Sequence, residues 1–187
     1  MAIPHMLVVG GSGMLAGLCL RLAGEGRKVS VIARNRDRLQ SLVERAPPGG
    51  IRPVAVDYCD AQAFQQALDR LAGDHDGQPT QAIGWIHDEV APDASLQIAD
   101  HVEIFWHVLG SAAADPSEPR LLADWRGRIS RYRPALDYRQ IVLGFVMEAQ
   151  RSRWLTDAEI CNGVYDAIRN AQSASIVGTI APWSRRP

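Results

Sequence analysis

The sequence predicts an α/β protein built as one doubly wound parallel sheet of about seven strands. Three observations carry this prediction. Short apolar runs alternate with helical patterns along the whole chain, which is how a parallel sheet covered by helices on both faces reads. The length of 187 residues suits one domain with a sizeable core. The first apolar run feeds a glycine-rich turn that opens an apolar-periodic helix, Leu7-Val8-Val9-Gly10-Gly11-Ser12-Gly13-Met14-Leu15-Ala16-Gly17.

Each element follows from local pattern. Met6–Val9 is the first strand. Met14, Leu15, Leu18, Cys19 and Leu22 recur at helical spacing and predict a helix over Gly13–Ala23. Lys28–Ala33 and Ile51–Val56 read as strands two and three, with Arg36–Arg45 as the helix between them and Pro47-Pro48-Gly49-Gly50 as its exit loop. A helix over Ala61–Leu71 and a Gly/Asp-rich loop over Gly73–Pro79 lead to strand four, Gln81–Ile86. A short helix near Asp93–Ile98 precedes strand five, Ile104–Leu109. The stretch Ala112–Arg139 carries Pro116, Pro119 and Pro134 and reads as a long loop with a short helix around Ser117–Trp125. A binding segment and a surface or dimer contact are equal readings of it. Strand six is expected over Ile141–Phe145 and strand seven over Ser175–Ile180. The helix between them, Thr156–Ala171, starts with a capping box of Thr156 and Glu159 and has an apolar stripe of Ile160, Val164 and Ile168. Arg151, Arg153 and Trp154 read as a solvated link or as recognition of an anionic substrate. Trp183 reads as packing on the sheet edge or on a partner subunit.

Bulk properties narrow the partners. A formal net charge of −1 gives no reason to expect nucleic acid or an anionic membrane. No apolar stretch is long enough to span a bilayer, and no basic segment precedes the first strand, so neither a membrane span nor a signal peptide is expected. Cys19, Cys59 and Cys161 form no C-x-x-C pair and fit a reducing, cytoplasmic setting. The histidines His5, His75, His87, His101 and His107 form neither H-x-x-x-H nor H-E-x-x-H, so no metal site is expected.

The glycine turn is the chemical signal. Gly11, Gly13 and Ala16 match G-x-G-x-x-G/A, and Gly10, Gly13 and Ala16 match G-x-x-G-x-x-A. Such a turn bends tightly, lets backbone approach a pyrophosphate and lets the helix pack close to the strand, with helix N–H groups facing the anion. In open parallel sheets ligands bind beyond the carboxyl ends of the strands. After strand two the chain reads Arg34-Asn35-Arg36, where an NAD site usually has a carboxylate, so an arginine–phosphate pairing favours NADP(H). After strand three, Asp57 is the better ligand for an adenine amino group and Asp60 the better helix cap. The cofactor set is therefore Gly10, Gly11, Ser12, Gly13, Met14, Leu15, Arg34, Asn35, Arg36, Asp57 and Tyr58. His87 after strand four is the leading proton donor, and Ser111 after strand five would orient a substrate oxygen. Each also reads as a residue satisfied by local backbone. Asp88, Glu89 and Glu148 are further acids at strand ends, and Tyr132 is an acid in the long loop.

These residues resemble a known family. Val8–Gly17, Val29–Asn35 and Val56–Asp60 are similar to the cofactor half of the short-chain dehydrogenase/reductase superfamily. His107-Val108-Leu109-Gly110-Ser111 is similar to the strand that ends in the family's catalytic serine. The resemblance implies a single Rossmann-type domain over residues 1–187, strand order 3-2-1-4-5-6-7 and a pyrophosphate held at the first turn. It also implies an arginine that selects NADP(H) and, in many members, a homo-oligomer. One departure stands out. The family's tyrosine with a lysine four residues later is absent: the chain's one lysine is Lys28, and no tyrosine has lysine at that spacing. The resemblance thus implies a divergent or truncated member. The expected function is an NADP(H)-dependent oxidoreductase acting on a small carbonyl or imine with a non-standard proton donor. The alternatives are a non-catalytic NADP(H)-binding sensor or regulator, and a non-redox enzyme on the same fold.

Overall fold

The computed structural model describes residues 5–73, 77–87, 89–149 and 151–187. His75 and Asp88 lie outside the described residues. The chain runs β1 (Met6–Val9), α1 (Ala16–Gly24), β2 (Val29–Ala33), α2 (Arg36–Arg45), β3 (Ile51–Ala55), α3 (Ala61–Ala72), β4 (Gln81–Trp85), α4 (Ala94–His101) and β5 (Ile104–Leu109). It continues with α5 (Leu121–Tyr132), β6 (Asp137–Leu143), β7 (Phe145–Glu148), β8 (Arg151–Trp154), α6 (Asp157–Arg169) and β9 (Ala174–Val177).

Seven strands form one sheet in the order β3-β2-β1-β4-β5-β6-β9, and every pairing in it is parallel. The expected doubly wound α/β fold and its strand order are both present. β1 and β2 are buried at every residue, as expected of central strands covered on both faces. Pro53 donates no ladder hydrogen bond, and its strand β3 lies at a sheet edge. Alternation splits the core into two layers. Met6 and Val8 join Leu18, Leu22, Leu39, Val164 and Ile168 from α1, α2 and α6. Leu7 and Val9 join Phe64, Leu68, Ile98 and Ile129 from α3, α4 and α5.

Several boundaries differ from expectation. α1 starts at Ala16, not Gly13, because residues 10–15 stay in a turn closed by the Ala16 N–H on the Gly13 carbonyl. The stretch expected as a long loop contains α5, which runs to Tyr132; its single buried position, Ile129, among four arginine and tyrosine side chains leaves little apolar period to read. β6 begins at Asp137, earlier than expected. β7 and β8 form an unexpected antiparallel hairpin, hidden by the polar sequence of β8. The last strand ends at Val177, short of the expected Ile180, where Gly178 turns the chain.

The expected capping box on α6 is present. Thr156 Oγ1 accepts from the Glu159 N–H at 3.3 Å, and Glu159 Oε2 accepts from the Thr156 N–H at 2.8 Å. Arg153 adds two hydrogen bonds to the same carboxylate. These contacts, Arg153 first, pull the Glu159 carboxyl from an ordinary 4.5 down to about 2. A folded-state value below the unfolded one means that the contact stabilises fully above pH 4.5 and is lost as pH falls through about 2. Thr156→Ala is expected to lower unfolding free energy by about 1 kcal/mol. Urea titration at pH 7 checks this, and Glu159→Gln should flatten the acid limb of the pH profile.

Candidate functional site

The carboxyl ends of β1, β2, β3 and β4 meet at a cavity of about 550 Å³. Its wall includes Gly10, Ser12 and Gly13 of the turn, Arg34 and Asn35 after β2, Asp57 and Tyr58 after β3, and Trp85 and His87 at β4. The cavity lies beside the β1/β4 boundary, where the strand order reverses and open α/β sheets take their ligands.

The turn divides its work between residues. Gly10 has φ +80°, and a Cβ there would stand 2.8 Å from the Trp85 carbonyl oxygen, so both conformation and space demand glycine. A Cβ on Gly11 would meet Cys19, Val31 and Val8 side chains at 2.9 Å, so this position sets the close fit of helix on strand. A Cβ on Gly13 would meet nothing within 4 Å, which leaves this backbone open for a ligand to approach. α1 has no side-chain oxygen cap at its N-terminus; the Ala16 N–H is taken by the Gly13 carbonyl at 2.9 Å, and the Gly17 and Leu18 N–H groups face the Cys161 thiol.

Other predicted residues sort by position. Leu15 is fully buried in the core, so only its backbone can reach a ligand. Met14 lines an adjoining groove of about 780 Å³ between α1, α2 and α6, which shares Ser12, Gly13 and Arg38 with the cavity, and its carbonyl accepts from the Cys161 thiol at 3.0 Å. Arg34 is exposed on the cavity wall. Asn35 shares that wall, but its Oδ1 caps α2 by accepting from the Arg38 N–H at 2.9 Å. Arg36 points elsewhere, lining a cleft with Arg52 and Pro53. Arg38, which sequence reasoning missed, lines the cavity instead. The Asn35 cap was the available signal: a helix starting there turns residue 38 back over its own first turn.

Asp60 caps α3, accepting from the Ala63 N–H at 3.0 Å, and Asp57 Oδ1 accepts from the Cys59 N–H at 3.0 Å. The Cys59 thiol also hydrogen-bonds the Asp57 carboxyl, and Asp57 lines the cavity. The Tyr58 hydroxyl accepts from the His87 N–H at 3.4 Å and so ties the β3 end to the β4 end. Burial pushes the Tyr58 phenol up and keeps it protonated. The His87 ring packs edge-on against Trp85 at 5.2 Å and is exposed. Trp85, also missed, is the common neighbour: a Cβ on Gly110 would lie 3.7 Å from its indole.

Ser111, the residue after Gly110, opens a 3-10 turn at the end of β5 and is buried. It does not line the cavity among the described residues; its Oγ accepts from Arg186 Nε at 2.8 Å. Glu89 shares the cavity wall with His87, whereas Glu148 lies in the hairpin and pairs with Arg153 at 2.5 Å. Tyr132 is no loop acid. It ends α5 and donates to Asp100 at 2.6 Å, near the end of α4 and so on the amino side of the sheet. Arg153 is held by Glu148 and Glu159 while its side chain stays partly exposed to solvent. Among the described residues no helix is long and apolar enough to cross a membrane.

No protein-family model matches the sequence, and no curated protein matches it. Solved structures do match in shape. A short-chain dehydrogenase/reductase from Vibrio parahaemolyticus aligns at 14% identity with a TM-score of 0.71, covering 92% of this chain and 98% of that one. A Comamonas testosteroni alcohol dehydrogenase specific for bulky-bulky ketones aligns at 13% identity with a TM-score of 0.72, covering 98% and 90%. A Haemophilus influenza protein provisionally described as a D-mannonate oxidoreductase, with NAD bound, aligns at 10% identity with a TM-score of 0.69, covering 94% and 93%. At these identities the likeness is one of fold: the chain has the fold of the short-chain dehydrogenase/reductases.

Proposed function

We propose that this chain is a divergent short-chain dehydrogenase/reductase that binds NADP(H) and reduces a small carbonyl or imine. The observation that carries the reading is convergence. The open Gly13 backbone, two arginines and the Asp57 carboxylate border one cavity at the carboxyl ends of the strands. Each fits one part of a phosphorylated dinucleotide. Backbone N–H groups of the turn suit the pyrophosphate. Arg34 and Arg38 suit a 2′-phosphate, and Asp57 suits the adenine amino group.

When bound, the nicotinamide supplies a hydride to the substrate carbon. His87, exposed on the cavity wall, would supply the proton to the oxygen or nitrogen. Trp85 packs edge-on against the His87 ring beside the cavity. Ser111, which follows β5 on the same carboxyl side of the sheet but outside the cavity wall, would orient the reacting oxygen.

A second reading rests on the one lysine. Lys28 precedes β2 at the amino side of the sheet, far from any tyrosine the family's chemistry would use. An NADP(H)-binding sensor without turnover fits that arrangement. NADPH oxidation across a panel of carbonyls and imines separates the two. Turnover that falls about 10² or more in His87→Gln, with NADPH affinity kept within about twofold, supports the reductase and its donor. Binding without turnover leaves the sensor. Failure to bind either nucleotide overturns both.

A further inference from the structure

The C-terminal tail brings a cation to the substrate side of the sheet. Arg186 Nε donates to Ser111 Oγ at 2.8 Å, and the guanidinium carbon stands 5.2 Å from the Trp154 ring and 5.1 Å from the Trp183 ring. Three segments hold it there. Phe145 and Thr179 exchange backbone hydrogen bonds at 2.8 and 2.9 Å, which pins the tail to β7. Ser152 Oγ donates to the Arg185 carbonyl, which pins it to β8. Arg153 locks β8 to α6 through Glu159.

This arginine has capacity to spare. A guanidinium carries five N–H donors, and one is used on Ser111. No carboxylate lies within ion-pair distance of Arg186 among the described residues. Arg186 acts on Asp115 through space, and that carboxylate's Oδ1 accepts from the Ser117 N–H at 2.8 Å and hydroxyl at 2.7 Å. Two indoles beside the guanidinium hold its plane while leaving edge donors available, an arrangement suited to bidentate capture of a carboxylate. Because Ser111 accepts from Arg186, its own hydroxyl proton is left to donate to a neighbouring oxygen.

We propose that Arg186, Trp154, Trp183 and Ser111 form a carboxylate-binding subsite, so that the substrates are carbonyl compounds bearing a carboxylate beside the reacting carbon. The substrate assignment rests on the reductase reading, whereas the anion subsite stands on its own contacts. Arg186 takes the carboxylate and Ser111 the carbonyl oxygen.

The test is a tryptophan-fluorescence titration of the full chain saturated with NADPH. The probes are oxamate, benzoylformate and, as the neutral control, methyl benzoylformate. Wild type should bind at least one of the two carboxylates. Arg186→Gln should weaken that binding by about tenfold or more, Arg186→Lys should lose less, and the ester should bind both forms alike. NADPH affinity and melting temperature should be unchanged in Arg186→Gln, which shows that the tail has not simply come loose. Equal carboxylate binding by wild type and Arg186→Gln overturns the proposal. So does no carboxylate binding by a wild type that does bind NADPH, which would make Arg186 an anchor for the tail. Arg186-dependent carboxylate binding in a protein that fails to bind NADPH would retain the subsite and remove the reductase reading.

Discussion

Replacing Arg34 with alanine is expected to weaken NADPH binding by about ten- to a hundredfold and to change NADH binding by less than about twofold. A hydrogen bond between charged groups contributes about 1.5–3 kcal/mol, which corresponds to this range of affinity. Arg34 is the residue immediately after β2, exposed on the cavity wall, with no carboxylate beside it to select a ribose hydroxyl. Arg38 faces the same cavity from the first turn of α2. A helix N-terminus repels cations, and although Asp37 lies in the same turn, neither arginine has an ion pair among the described residues, so an anion between them would offset that repulsion. The double variant Arg34→Ala/Arg38→Ala should lose more than either single one, and salt should erode the NADPH preference of wild type. Calorimetric titration with both nucleotides reads each outcome. Equal losses for NADPH and NADH would put Arg34 on a part the two share. No loss for either would remove it from the site.

Gly144→Ala is expected to destabilise the fold by about 3 kcal/mol or more, or to prevent soluble expression. Gly144 joins β6 to β7, and its N–H donates to the Val177 carbonyl at 2.9 Å. A Cβ there would overlap the Thr179 carbonyl oxygen, which is backbone rather than a side chain able to swing away. That oxygen also accepts from the Phe145 N–H at 2.8 Å. Moving it breaks the bond that pins the tail, and moving Gly144 strains the pairing of β6 with β9. Gly127→Ala in α5 is the control: a Cβ there meets nothing within 4 Å, and helix propensity favours alanine by about 1 kcal/mol. Urea midpoints should therefore move in opposite directions. A wild-type midpoint for Gly144→Ala would mean that the crossing is looser than its geometry.

The parts of the site that were legible in the sequence are those fixed by strand ends. β1, β2, β4 and β5 are mostly apolar runs, and the residue after the first two reads directly as Gly10 and Arg34, with His87 two beyond β4 and Ser111 two beyond β5. Asp57 and Asp60 separate by their distance from the first helical residue, and the structure gives Asp60 the cap. What escaped depends on three-dimensional detail. Arg38 rather than Arg36 faces the cavity because of the angle at which α2 leaves its Asn35 cap. α5 was read only in part, as a short helix around Ser117–Trp125, because only Ile129 is buried along it. The hairpin of β7 and β8 is short and charged, with no Asn-Gly or Asp-Gly turn to announce it. Arg186 and Ser111 lie 75 residues apart, and no local pattern links them.

The two borders of the sheet are chemically unequal. On one border β3 carries Pro53, which lacks an N–H, beside the charged side chain of Arg52. On the other, β9 has no proline and exposes Ile176. A strand added from another molecule needs a row of open donors and acceptors, and only the β9 border offers one without interruption. Strand-mediated self-association through these borders would therefore be self-limiting. Two copies that meet border to border through β9 would leave only proline-bearing β3 borders outermost, so growth closes at a pair and does not propagate into a fibre.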